Sequence, residues 1–348
     1  MSAAVLRAPM PYFGGKARIA AEVWVAFGRV QNYVEPFFGS GAVLLARPRS
    51  TWATDAAPGT ETVNDRSAFL ANFWRAVQHD PDAVADACDW PVNETDLHAR
   101  HRWLLAQVGD LAARLERDPD AFDAKIAGWW CWGACAWIGT GWCDEQRGSG
   151  DPPVQLPHMG DAGQGIHRKL PHMGDAGRGD VPIQLPHLGG FSDGQGVRHK
   201  AKRGQLRAYM GELAARLRGV RVACGDWSRV CGDCVTWRHG ITAVFLDPPY
   251  AEGAQQYAAG GTGTGLSADV REWAIAAGER RDMRVILCGL DGEHEMPSTW
   301  RVVPWKARGG YGGQRKTGTN ENASRERLWL SPHCLGSDAA LPLFGGSL

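Results

Sequence analysis

Four apolar residues with no polar one among them, Ala243-Val244-Phe245-Leu246, run straight into Asp247-Pro248-Pro249-Tyr250. A run of that length without alternation reads as a strand covered on both faces, which implies a mostly parallel sheet with helices on each side. Comparable short runs occur at Asn32–Glu35, Thr62–Asn64, Arg221–Ala223 and Arg284–Cys288. Helical spacing appears between the early runs, at Phe69, Phe73, Trp74 and Val77, so the expected class is α/β.

The strand grammar is interrupted. Residues 80–123 read as acidic helix with Leu104, Leu105, Val108, Leu111 and Leu115 at helical spacing. From Gly148 to Gly196 the composition turns to Gly, Pro, His and Asp. There Leu156-Pro157-His158-Met159-Gly160-Asp161-Ala162-Gly163 recurs from Leu170 to Gly177, and partly from Leu185 to Gly189. Gly and Pro at this density make turns, and either an insertion of turns or a set of ligand-touching loops with His158, His172 and His187 fits the repeat. The expected organisation is a catalytic part split between residues 1–80 and 218–335, a helical and repeat-bearing insertion at 81–217, and a C-terminal tail at 336–348.

At 348 residues with 38 Lys+Arg against 38 Asp+Glu, the chain can bury a full core but carries no net charge, so any polyanion would have to meet a local basic face. Two basic clusters are present. One holds Arg198, His199, Lys200, Lys202, Arg203 and Arg207; the other holds Lys306, Arg308, Arg315, Lys316, Arg325 and Arg327. Either is a solvated face or the footprint of a phosphate backbone. The uncharged stretch Ile126–Cys143 holds five Trp, four Gly and three Cys, which favours a buried helix and a Gly-rich turn over a membrane span. Nine cysteines without a regular framework read as reduced thiols in a cytosol, and Cys231 with Cys234 lacks a second pair, so no metal is expected.

The chemistry concentrates at the ends of the apolar runs. Asp247 to Tyr250 would stand at the carboxyl end of a parallel strand, where open α/β sheets place ligands. A carboxylate, a carbonyl from Pro248 or Pro249 and an aromatic ring suit an exocyclic amine on a flat base: Asp247 and the Pro248 carbonyl accept its two N–H groups while Tyr250 stacks. Glu35-Pro36-Phe37-Phe38-Gly39-Ser40-Gly41 follows another short strand, and its glycines let a ligand approach the backbone. Asn64-Asp65 ends the next run, where an acidic side chain takes ribose hydroxyls or caps a helix.

These motifs, with Tyr12-Phe13-Gly14-Gly15-Lys16 and the pair Asp226-Trp227, resemble in kind and order the D12-class adenine-specific DNA methyltransferases, relatives of the Dam methylases. The resemblance spans residues 8–78 and 218–334. It implies a Rossmann-like methyltransferase sheet with an inserted, mostly helical and loop-rich target-recognition region. It implies that Tyr12 and Lys16 lie near the methionine end of S-adenosylmethionine, that Glu35 and Phe38, Gly39, Ser40 and Gly41 line this cofactor, that Asp65 binds its ribose, and that Asp226 and Trp227 hold its adenine. Asp247, Pro248, Pro249 and Tyr250 would hold a target adenine flipped out of double-stranded DNA. Arg198, Lys200, Lys202 and Arg203 would meet the DNA, and Tyr311, in the Gly-rich loop 309–313, would contact the flipped base.

Two departures from the family stand out: Tyr12 occupies a position where many relatives have Trp, and the insertion does not align with the familiar recognition region. The expected activity is methyl transfer to adenine N6. An RNA adenine or other amino-group methyltransferase of the same fold, or a catalytically silent DNA-binding relative, are the alternatives. The expected setting is the cytoplasm of a bacterial or phage-infected cell, as a monomer or weak dimer, with a cognate restriction nuclease as a candidate partner and no membrane.

Overall fold

The computed structural model describes residues 6–11, 16–137, 142–143, 200–250, 263–305 and 325–336. The chain divides into two compact units. The first comprises residues 1–7, 12–67 and 216–348; the second comprises residues 8–11 and 68–215. The helix that follows Ser67 groups with the second unit.

The first unit is built on a seven-stranded sheet in the order β3-β2-β1-β4-β5-β7-β6. Its strands are β1 (Asn32–Glu35), β2 (Thr60–Asp65), β3 (Val220–Cys224), β4 (Thr242–Leu246), β5 (Met283–Leu290), β6 (Arg301–Pro304) and β7 (Glu326–Leu330). The first five pair in parallel, whereas β7 runs antiparallel between β5 and β6. All five residues of β4 are buried, as a strand flanked on both sides and both faces requires.

Two short helices precede β2: α1 (Ala20–Phe27) before β1, and α2 (Ala42–Leu45) directly after the glycine loop. On the α1 side, Trp24 packs on Phe27 and Tyr33, and its indole N–H donates to the Val43 carbonyl at 2.7 Å. Residues of alternate parity face the other way, where Val34, Val244, Leu246, Val285, Leu287 and Trp329 form a core with Val270, Ala274 and Ala277 of α8 (Gly263–Gly278).

A buried ionic cluster ties the start of this sheet together. Glu61 of β2 accepts from Arg47 at 2.9 Å and from both guanidinium nitrogens of Arg216 at 2.7 and 2.9 Å. Arg47 also donates to the Val30 and Thr51 carbonyls and lies over the Trp24 ring. Both guanidiniums are thus paired and hydrogen-bonded, the condition for keeping charge inside a core.

The second unit is helical: α3 (Ala68–His79), α4 (Pro81–Cys88), α5 (Glu94–Arg117), α6 (Ala124–Ala136) and most of α7 (Lys200–Leu217). Its starts are capped as the sequence dictates. Asp80 accepts from Ala83, with Pro81 at the first position; Asn93 accepts from Asp96, and Asp123 from Ile126. Arg75 collects the carbonyls of Leu115, Asp118 and Ala121 where α5 ends. The Trp-rich run forms α6, in which Trp130 packs on Phe69 and Phe73. No described helix is long and apolar enough to cross a membrane.

Candidate active site

Strand order reverses direction at β1, with β2 on one side and β4 on the other. In an open α/β sheet the loops that leave two such strands diverge, and the crevice between their carboxyl ends is where ligands bind. The loop after β1 carries Glu35 to Gly41, and the loop after β4 carries Asp247 to Tyr250. The ends of β2 and β3 bring Asn64, Asp65, Asp226 and Trp227 to the same edge of the sheet.

The glycine loop is fastened to the end of β2. Phe38 donates its N–H to the Asn64 carbonyl at 2.9 Å, and Gly39 donates to Asp65 Oδ2 at 2.8 Å. The Asn64 amide bridges the Pro36 and Gly225 carbonyls, both at 3.0 Å, and so links the loops after β1 and β3. Gly41 has φ +62°, and a Cβ there would lie 2.7 Å from the Phe38 ring, so both backbone and space require glycine.

Asp65 Oδ1 accepts the Ser67 N–H at 2.9 Å. Burial dominates the electrostatics of this carboxyl and, against the lowering effect of its N–H partners, pushes its pKa up to about 6. Glu35 is buried, with Tyr33 donating to it at 2.7 Å; burial lifts it well above the ordinary carboxylate range, against the Tyr33 bond and reinforced by Asp247. Asp226 is exposed and caps the turn Trp227–Val230 by accepting from Ser228. Trp227 lies parallel to Phe37 at 6.3 Å and edge-on to Trp273 at 6.1 Å.

At the end of β4 the tetrapeptide Asp247 to Tyr250 meets two residues far away in sequence. Lys16 Nζ lies 2.8 Å from Asp247 Oδ2, with the lysine side chain 5% and the aspartate 21% exposed. The Tyr250 hydroxyl donates to Glu326 Oε2 at 3.2 Å and sits 3.5 Å from Asp247 Oδ1. Lys16 is also 3.9 Å from Glu326 and faces the Tyr250 and Trp305 rings. Burial works against the Lys16 ammonium, but Asp247, Cys288 and Glu326 outweigh it and hold the pKa above the usual lysine value. Burial raises Glu326, partly offset by Lys16.

Sequence reasoning passed over Glu326 and Trp305. Register explains Glu326: β7 runs antiparallel, so its first residue pairs with Leu290 at the carboxyl end of β5. The available signal was local, a lone carboxylate at the parity of Leu328 and Leu330, on the strand face that is otherwise apolar. Trp305 follows β6, and its backbone N–H donates to the Glu326 carbonyl at 3.1 Å.

Several residues expected at a ligand take other partners. Arg207 is held bidentate by Asp86, at 2.5 to 2.9 Å, so its charge is matched within the helical unit rather than held for phosphate. Arg327 pairs with Asp291 at 3.0 Å, and Arg325 donates to the Asp291 carbonyl. Tyr12, Arg198, Tyr311, the repeats with His158, His172 and His187, and the tail beyond residue 336 lie outside the described residues, as do the side chains of Lys200, Lys202 and Arg203. Cys231 is buried and Cys234 exposed, and no metal-capable group of three His, Cys, Asp or Glu occurs among the described residues.

The sheet, a mixed α/β arrangement of seven strands, is consistent with a methyltransferase fold. Residues 12–103 match the family described as D12 class N6 adenine-specific DNA methyltransferase, a match over roughly a quarter of the chain. It takes in Lys16, the glycine loop and Asp65. None of the curated proteins matches the chain.

Proposed function

We propose that the protein transfers a methyl group from S-adenosylmethionine to N6 of an adenine flipped out of double-stranded DNA. One observation carries this reading: the Asp247 carboxylate stands at the carboxyl end of β4, beside the strand whose following loop holds Gly39 and Gly41. The family match over residues 12–103 supports the DNA-adenine class.

The donor set fits the cofactor. Asp65 spends one acceptor site on Gly39 and one on Ser67, and a carboxylate has further lone pairs for ribose hydroxyls. Phe37 and Trp227 offer aromatic surface at the ends of β1 and β3, where a purine ring can lie. When bound, S-adenosylmethionine supplies an electrophilic methyl on a sulfonium, which departs as a neutral thioether.

The rest is the work of the chain. Adenine N6 is a poor nucleophile because its lone pair is delocalised into the ring, and in a duplex the base is paired and stacked. Extrusion costs a few kcal/mol, which pocket contacts recover. Asp247 and the Pro248 carbonyl accept the two N6–H groups, favour a pyramidal nitrogen and aim its lone pair. Tyr250 stacks on the ring, fixing the angle of approach. N6 turns cationic as its bond to the methyl carbon forms and the methyl–sulfur bond breaks, and it then gives up one proton to water, so a carboxylate beside it acts more strongly in the transition state than in the ground state.

The test is incubation of the full chain with radiolabelled S-adenosylmethionine and mixed DNA and RNA, followed by nucleoside analysis. N6-methyladenine in DNA, lost in Asp247→Ala, is the expected result. Label confined to RNA, to cytosine or to protein, or no label at all, overturns the reading.

A further inference from the structure

Glu326 takes no part in the mechanism above, yet it is the third charged group of the cluster. Its Oε2 accepts the Tyr250 hydroxyl at 3.2 Å and lies 3.9 Å from Lys16 Nζ. Lys16 in turn sits 2.8 Å from Asp247. An ammonium at that distance, largely removed from water, cancels most of the field of the carboxylate it touches. Taken alone, Lys16 and Asp247 would present a neutral pair to an amine that becomes positive on alkylation, and most of the electrostatic help expected of Asp247 would vanish.

Counting Glu326, the three groups carry one net negative charge. Among the described residues, the other titratable groups facing them do not change this. Burial first, then Asp247, holds Tyr250 and Cys288 in their protonated, neutral forms, and burial pushes Glu35 toward its neutral form. Arg327 on the same strand is already matched by Asp291.

We propose that Glu326 is a positioning residue for methyl transfer: it balances Lys16, so that Asp247 keeps its negative charge for the target amine, and it holds the Tyr250 hydroxyl, so that the ring is set for stacking. This rests on the adenine-N6 reading of the site. Glu326 acts through Lys16 and Tyr250 and touches neither base nor cofactor.

The test is steady-state kinetics of full-length variants on double-stranded DNA. Glu326→Gln should lower kcat about a hundredfold and leave KM for S-adenosylmethionine within about threefold. Adding Lys16→Met to Glu326→Gln restores one net negative charge and should raise kcat at least about tenfold over the single variant, a rescue that a purely structural role would not produce. Glu326→Asp keeps the charge but withdraws it from Tyr250, so kcat should stay within about threefold while KM for DNA rises about tenfold.

An unchanged kcat in Glu326→Gln, or a double variant no faster than it, overturns the proposal. If Glu326→Gln does not fold by circular dichroism, Glu326→Asp decides: wild-type kcat and KM together overturn it. Wild-type protein that makes no N6-methyladenine points instead to failure of the underlying reading, so the two failures are told apart by the control reaction.

Discussion

The Asp65 carboxylate accepts the backbone N–H of Gly39 at 2.8 Å, so the last residue of β2 holds the loop that leaves β1. One carboxylate therefore shapes the glycine loop while keeping lone pairs for a ligand. Because β1 and β2 are parallel neighbours, their ends meet at one edge of the sheet, and the bond needs no distortion of either strand.

Under the proposed function, cofactor binding is expected to be sensitive to pH. Asp65 has its pKa raised by burial from 3.8 to about 6. Below that value the folded protein carries a neutral acid, which is a weaker acceptor for Gly39 and for ribose hydroxyls. Affinity for S-adenosylmethionine measured by calorimetry should fall as pH drops through about 6, approaching tenfold per unit, and Asp65→Asn should flatten the profile. Stability has the opposite sign: between pH 3.8 and about 6 the folded chain holds a proton that the unfolded chain has lost, so this group favours folding more as pH falls through that window.

Removing the carboxylate assigned to the target amine should separate chemistry from binding. Asp247→Ala is expected to lower single-turnover methyl transfer by about a thousandfold or more while the S-adenosylmethionine Kd stays within about threefold. It also leaves Lys16, 5% exposed, without its nearest partner, so a stability loss of about 2 kcal/mol in urea titration should accompany it. An enzyme that remains active without this carboxylate would refute its assigned role.

The Glu61 cluster should behave as a structural element. Glu61→Gln leaves Arg47 and Arg216 facing a neutral amide inside the sheet unit, and chemical denaturation should report a loss of about 3 kcal/mol or more. Cofactor affinity of the fraction that folds should be unchanged, since Glu61 lies away from the carboxyl edge of the sheet.

Gly41→Ala tests the loop. The new Cβ meets the Phe38 ring at 2.7 Å on a backbone with φ +62°, and a destabilisation of about 1–3 kcal/mol is expected. Displacement of Phe38 should weaken cofactor binding about tenfold or more, measurable by fluorescence competition.

The basic residues of α7 should not all act alike. Charge reversal at Lys200 and Lys202 should weaken DNA binding and reduce the slope of log affinity against log salt by about one for each phosphate no longer neutralised. Arg207→Glu breaks its bidentate pair with Asp86 and should lower the melting temperature without changing that slope. Equal salt slopes for wild type and the lysine variants would mean that those residues form a solvated face.

Residues 243–250 and 35–41 were readable without coordinates because each motif is continuous: a buried run followed by chemistry at its end. Strand parity then predicts which face each side chain takes, and β4, covered on both faces, is buried throughout. The fate of a charge was not readable in this way, since Arg207 and Arg327 carry the same side chain whether they await phosphate or rest on Asp86 and Asp291.

Sequence alone thus determined the strand grammar, the loops after β1 and β4 and the carboxylate that opens the second of them, all properties of neighbouring residues. Only tertiary structure decided that Lys16, Asp247 and Glu326 share one cluster. Lys16 enters ahead of the first strand and Glu326 opens the last, and pairing of β7 against β5 sets Glu326 beside Tyr250. The physical reason is that pattern and propensity act over a few residues, whereas the energy of an ion pair depends on distance in space and on the water excluded from around it.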